Sequence, residues 1–544
     1  MNQQATPEVQ PAGVDRCQLF YEPIVLEQGL QVACRAGQDV FNGTPKVEND
    51  SLASQFQVFR SFVEKLAQVC DNERGGQTVT SFTVLEGEDG PEYVFGSNHR
   101  DADELSETQQ FAEDLLTLVG KNPTGLKPKP LAKQVLWKIL LFNLPRLDIY
   151  LNNVGKHLVA CIDDCERRGA PEVRYSPQVG TPGPEEQNRV STGSYIWERS
   201  RQVITKPSTV LSDCEKLIKG VVAIKNTQID QAIMRNAKDG EISESKCWSE
   251  LRHYLGRLLS FRQAADTIIG THERLPKLFE DFKFTVVPSS EDAPRPLTKS
   301  MSITAASIIM NMLPDDDEEK QEFLQHAVEM QKFGLDSIIQ RQIGKRTFKP
   351  RVHAEVLVHS YLLSRDLQHP RDYFNSWKYI GSSKPTCRLC HYYFNAHPDR
   401  MQVRKTHDNL YPNWRIPGVF EGADSGVLDA KTQRLLEKIM ESVHDDVKRT
   451  LEEKRPKGRT HDSNTLTTLP EGLAGSSYSD TTSVSEAAAQ MDDMQLNARA
   501  ESEKDQVVDY GDDGSSLVGE ADEDVVGNTS GGAPLEAMRT QIAA

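Results

Sequence analysis

From about residue 105 to about residue 340 the sequence repeats the apolar spacing of a surface helix in segment after segment, which excludes a fold built mainly of strands. The segments are TQQFAEDLLTLVGK, LAKQVLWKILLFN, LPRLDIYLNNVGKHLVACIDDCERR, LSDCEKLIKGVVAIK, SELRHYLGRLLSFRQAADTII and EEKQEFLQHAVEMQKFGLDSIIQRQI. A stretch rich in Pro and Gly interrupts them near residues 170 to 193.

Outside this block the periodicity changes. Residues 52 to 70 place Leu52, Phe56, Phe59, Val63, Leu66 and Cys70 on one face of a helix. In residues 78 to 98, two runs rich in Val, Thr, Phe and Tyr flank the turn sequence GEDGP, which predicts a β-hairpin ending at Asn98. Residues 376 to 397, SWKYIGSSKPTCRLCHYYFNAH, read as a short strand, a turn and a helix with a cysteine pair in its opening turn. Helices mixed with few strands predict an α/β fold, and 544 residues allow two or three domains.

From about Lys454 onward, Ser, Thr, Gly and Asp dominate without apolar period, predicting a disordered acidic tail. Seventeen Asp or Glu against three Lys or Arg from residue 460 account for −14 of the chain's net −17, so the remainder is near neutral and an anionic substrate is not excluded. Nine scattered cysteines argue for reduced thiols rather than a disulfide framework. There is no run of eighteen apolar residues and no secretory signal pattern; the expectation is an intracellular protein, cytoplasmic or nuclear, without a membrane partner.

The chemistry concentrates in two short stretches. Cys387 and Cys390 form a CxxC in a helix's first turn, where the helix N-terminus lowers thiol pKa. Such a pair serves either metal chelation or thiol redox chemistry. Upstream, VHAEVLVH places His353 and Glu355 at the start of another helix. This is not the metalloprotease HExxH: Ala354 follows His353, Leu357 stands at i+4, and His359 at i+6 points away. One imidazole with two thiolates makes three tetrahedral ligands for zinc, leaving a position for water, and Glu355 is placed to move that water's protons. A second candidate set, His157, Cys161 and Cys165, lies on one helix face but spans ~12 Å, too far to converge on one ion, and reads as packing.

HAE at 353 to 355, a strand, and SKPTCRLC at 383 to 390 together resemble the zinc-dependent cytidine-deaminase-like superfamily, in the largely fungal branch related to bacterial toxin deaminases. The resemblance implies that His353, Cys387 and Cys390 hold Zn2+ and that Glu355 is the catalytic proton shuttle. Thr386 separates Pro385 from Cys387, whereas better-known members place proline directly before the first cysteine. The fold it implies is a three-layer α/β/α domain: a helix, a hairpin, the HAE helix, a strand, the CxxC helix and further strands. RQIGKRTFKPR, just before HAE, is too short to hold the hairpin. The expectation is therefore a split domain, with its N-terminal part at 50–100, a helical insertion at 101–340, a zinc-binding core at 341–453 and the tail at 454–544. Asn98 is then similar in place to an asparagine that contacts the nucleoside sugar, while Lys384 and Tyr392 are further substrate-binding candidates. Basic residues in 341–351 and at Arg400, Arg404 and Lys405 are candidates for phosphate contacts.

Two functions follow. The first is a zinc-dependent hydrolytic deaminase acting on cytosine or adenine in a nucleotide or nucleic acid. The second is a non-catalytic zinc-stabilised scaffold whose helical block binds a protein partner, with His397 as the fourth ligand; His391, directly after Cys390, points off the ion.

Overall fold

The computed structural model describes residues 16–36, 54–169, 207–239, 246–298, 300, 302–419 and 429–457. The Pro- and Gly-rich stretch and nearly all of the acidic tail lie outside the described residues.

The elements are α1 (Arg16–Ala36), α2 (Gln55–Cys70), β1 (Thr80–Glu86), β2 (Pro91–Ser97), α3 (Ala102–Gly120), α4 (Pro128–Phe142), α5 (Leu144–Gly169), α6 (Pro207–Ile224), α7 (Gln228–Asp239) and α8 (Lys246–Arg274). Then come β3 (Lys283–Val287), α9 (Ala305–Met312), α10 (Lys320–Met330), α11 (Leu335–Gly344), α12 (Ala354–Ser364), β4 (Tyr379–Ser382), α13 (Arg388–Ala396), β5 (Gln402–Val403) and α14 (Ala430–Glu453). Local sequence sets several starts: Ser54 with Gln57, and Asp101 with Glu104, close capping boxes on α2 and α3. The helical pattern is broken at 283–287, where KFTVV forms β3.

The five strands make one mixed sheet in the order β3-β2-β1-β4-β5. β1 pairs antiparallel with β2 over its whole length and with β4 through Ser81 opposite Ser382 and Phe82 opposite Gly381. β3 lies parallel to β2, and β5 parallel to β4. The sheet is thus assembled from segments nearly 300 residues apart in sequence, which places the end of the hairpin beside the strand that leads to the cysteine pair.

Side chains alternate across the sheet into two cores, as strand geometry requires. Phe82, Val84, Tyr93, Phe95 and Tyr379 join the helices α2 to α8 on one face. Leu85, Val94, Val287 and Ile380 join α1 and α9 to α14 on the other. Two glycines let helices approach closely. A Cβ on Gly381 would meet Val63 Cγ1 of α2 at 2.7 Å, and one on Gly96 would meet Leu357 Cδ2 of α12 at 3.2 Å. The sheet therefore carries α2 on one side and α12 on the other. Among the described residues, no helix is long and apolar enough to cross a membrane.

Candidate metal centre

His353 and Cys387 occupy the same structural position on two different helices: each is the N-cap residue, of α12 and α13 respectively. The two N-termini meet, so both macrodipoles turn their positive ends toward one point. There the His353 Nδ1 atom lies 3.5 Å from Cys387 Sγ and 3.5 Å from Cys390 Sγ. These three donor atoms form a group lying within 4.8 Å of one another. Tetrahedral zinc with Zn–N near 2.05 Å and Zn–S near 2.3 Å separates nitrogen from sulfur by ~3.6 Å, so the spacing fits such an ion without rearrangement.

The electrostatics of the cluster follow from burial and mutual charge. Burial opposes ionisation of Cys387, but hydrogen bonds with Cys390 and His353, together with the imidazole charge, hold its thiol well below the ordinary value. Burial, then the hydrogen bond and negative charge of Cys387, push Cys390 well above it. Against the cost of burial, the Cys387 thiolate raises the His353 imidazole. Glu355, only 4% exposed in the first turn of α12, has its carboxyl raised by burial and by the Cys387 charge. Cys387 thus stands as a thiolate beside the imidazole, and Cys390 is the thiol that would release its proton on binding a divalent cation.

Residues 352–418 match the family model of the OTT_1508-like deaminases. The matched segment holds His353, Glu355, Cys387 and Cys390, and a deaminase is the general class of activity it supports. Neither the curated proteins nor the solved structures offer a significant match.

The three substrate-binding candidates each have partners within the chain. The Asn98 Oδ1 atom accepts from the Ala354 N–H at 2.7 Å, and its Nδ2 donates to the Gly76 carbonyl at 2.7 Å. His353 makes no side-chain cap bond, so Asn98 supplies the missing cap of α12 from 256 residues away. Lys384 donates to the Gly75 carbonyl at 2.7 Å, which together with Asn98 ties down the Gly75–Gly76 turn. The Tyr392 hydroxyl donates to Asp446 on α14, and Lys457 Nζ sits 5.9 Å from its ring centre. The cause is helical geometry, since two positions past Cys390 a side chain leaves the face carrying that thiol.

Two residues beside the cysteine pair escaped sequence reasoning. Trp414, fully buried, donates its indole N–H to Cys390 Sγ at 3.1 Å. Arg388, between the two cysteines and also fully buried, donates to Glu27 of α1 at 2.6 Å, to Asp446 at 3.1 Å and to the Asp408 carbonyl at 2.8 Å. Despite Arg388, burial pushes the Glu27 carboxyl up to about 7.

His397 does not join the first cluster. It belongs to a second group with His359 and Asp399, in which His359 Nε2 contacts Asp399 Oδ2 at 2.9 Å and Nδ1 contacts the Tyr393 hydroxyl at 3.0 Å. Lys378 is ion-paired with Asp399, so the positive charge this carboxylate needs is already supplied by the chain. His157 stacks on Tyr254 with ring centres 5.8 Å apart, Cys161 is buried in the core, and Cys165 is exposed. Of the basic residues, Arg351 pairs with Asp292 and Arg404 with Glu64, while Arg400 lines a separate cleft with Trp377 and Phe56.

Proposed function

We propose that this chain is a zinc-dependent hydrolytic deaminase acting on a nucleobase, of cytosine or adenine type, in a nucleotide or nucleic acid. The observation that carries the reading is the combination of three converging soft and imidazole donors with a buried carboxyl two residues past the imidazole ligand. His353, Cys387 and Cys390 would hold the ion. Bound there, zinc supplies Lewis acidity that brings the pKa of water at the site toward neutrality.

The remaining work falls to the chain. Glu355 takes one proton from the attacking water and passes it to the ring nitrogen of the base, then takes the second from the hydroxyl now on the carbon and passes it to the departing amine, so that the C–N bond breaks, water is consumed and ammonia released. Asn98 holds the first turn of α12, and with it His353 and Glu355, in register with the sheet. Among the described residues the donor group contains no fourth protein ligand, which favours catalysis over a structural site saturated by protein.

In this reading α2 and the hairpin are the N-terminal part of the same α/β/α domain, the helices that follow are an insertion available to a protein partner, and the core runs from about 341 to 453. Pairing of β1 with β4 supports the split.

The test compares wild type with Glu355→Gln for ammonia release from nucleosides, nucleotides, single-stranded DNA and RNA. The expected result is release by wild type from at least one of these and a loss of roughly 10²–10⁴-fold in the variant at equal zinc content. Zinc-loaded wild type that releases no ammonia from any of them overturns the reading.

A further inference from the structure

Both proposed thiolate ligands receive one N–H donor, from different sources. Cys387 Sγ, as the N-cap of α13, accepts from the Cys390 backbone N–H at 3.5 Å. Cys390 Sγ accepts from the Trp414 indole at 3.1 Å, a contact bridging 24 residues of chain. An indole nitrogen is a donor only, and when fully buried it must find an acceptor or carry the full cost of desolvation. Here its acceptor is a sulfur that faces the imidazole of His353 on its other side.

The ring has no freedom to drift. The Trp414 carbonyl accepts from the Tyr21 hydroxyl at 3.0 Å, its indole stacks on Phe20 at 6.4 Å between centres, and Tyr393 meets it edge-on at 6.5 Å. α1 and α13 thus hold the indole in place from two sides, and the N–H is aimed at the sulfur by packing rather than by chance rotation.

We propose that Trp414 is a positioning residue of the metal centre: its N–H fixes the direction of the Cys390 sulfur and withdraws electron density from it, so that a bound ion keeps more of its positive charge. This rests on the zinc-site reading above. A hydrogen bond to a thiolate stabilises the lone pairs that would otherwise be donated to the metal, and partners of this kind tune an ion as strongly as they orient its ligands. The two donors balance the pair. Without Trp414, Cys390 would be the stronger electron donor and Cys387 the weaker.

Cobalt substitution of the full chain reads this directly, because thiolate-to-cobalt charge transfer reports sulfur electron density independently of activity. Trp414→Phe, which keeps an aromatic ring and removes the N–H, is expected to move that band to longer wavelength and to weaken zinc binding roughly tenfold in a chelator competition. Phe20→Leu loosens the same packing but leaves the N–H, and its band is expected to move clearly less than that of Trp414→Phe. A wild-type band in Trp414→Phe, or an equal shift in Phe20→Leu, overturns the proposal while leaving the metal site standing. A wild-type protein that binds cobalt without any thiolate band overturns the site and this inference together. A second measurement needs no variant: in protein loaded with cadmium-113, the Trp414 indole proton is expected to show scalar coupling to the metal across the sulfur. Absence of that coupling counts against the proposal even if the variants fail to fold.

Discussion

The two helices that meet at the cluster solve one problem in opposite ways. α13 begins on a residue that is both ligand and cap: Cys387 Sγ accepts from the Cys390 N–H while facing His353. α12 begins on His353, whose ring is turned to the thiols and leaves the Ala354 N–H without a local acceptor, while the Glu355 N–H is served by its own carboxyl. Asn98, at the end of β2, supplies that acceptor. Sulfur has lone pairs enough for a helix and an ion, whereas an imidazole engaged through Nδ1 offers nothing to its own backbone. One helix start is therefore complete within four residues, and the other is completed by a residue of the hairpin.

The self-sufficiency of α13 ends at its cap, and the largest expected effect lies just beyond it. Arg388 carries the helix into a buried network with Glu27 and Asp446. Arg388→Met leaves Glu27 buried without its cation and is expected to cost about 3–5 kcal/mol in a denaturant titration. A loss below about 1 kcal/mol, the range of an exposed pair, would show that α13 stands without this anchor. The same network has a pH signature. Between about 4.5 and about 7 the folded protein holds a proton on Glu27 that the unfolded chain releases, so raising pH through that window weakens the fold. Glu27→Gln removes the titration. Its unfolding midpoint, taken relative to wild type, is expected to rise from about pH 5 to about pH 8. A difference that stays flat, or falls, refutes the assignment.

Next in size is the break on the α12 side. Asn98→Ala leaves the buried Ala354 N–H without a partner, at an expected cost of about 1–3 kcal/mol. Asn98→Asp keeps an acceptor at that N–H and is expected to recover part of the loss and to hold zinc as wild type does. If Asn98→Ala is neutral for stability but weakens binding of a nucleoside, the residue touches substrate instead of capping the helix.

What the sequence makes legible follows the same division. The CxxC pair, the HAE stretch and the hairpin are readable because each signal is complete within a few residues: a spacing, a cap position, an alternation about a turn. Asn98 is visible as the end of a strand, but its hydrogen bond to Ala354 connects positions that only the β1–β4 pairing brings together. α1 is missed for a different reason. From Phe20 to Glu27 every residue is buried, so the helix has no polar face to set off an apolar stripe, and Pro23 lies inside it. Arg388 is passed over because nothing local reveals Glu27 and Asp446 on either side. Trp414 is passed over too, since the direction of one N–H is a tertiary fact.

The smallest expected effect on stability is the one that separates cap from ligand. Serine is among the best N-cap residues, and its hydroxyl reaches the same backbone N–H that Cys387 Sγ serves. Cys387→Ser is therefore expected to leave the metal-free protein within about 0.5 kcal/mol of wild type in a denaturant titration. A hydroxyl is a poor substitute for a thiolate as a zinc ligand, so metal content after dialysis is expected to fall sharply. At His353 the corresponding change should act differently. His353→Asn removes the imidazole ligand but gives α12 a local cap, so stability in the metal-free state is expected to hold or rise, and the cost of Asn98→Ala is expected to shrink in that background. If Asn98→Ala costs the same with histidine or asparagine at 353, the two residues are not sharing one capping role, and the contrast between the two helix starts fails.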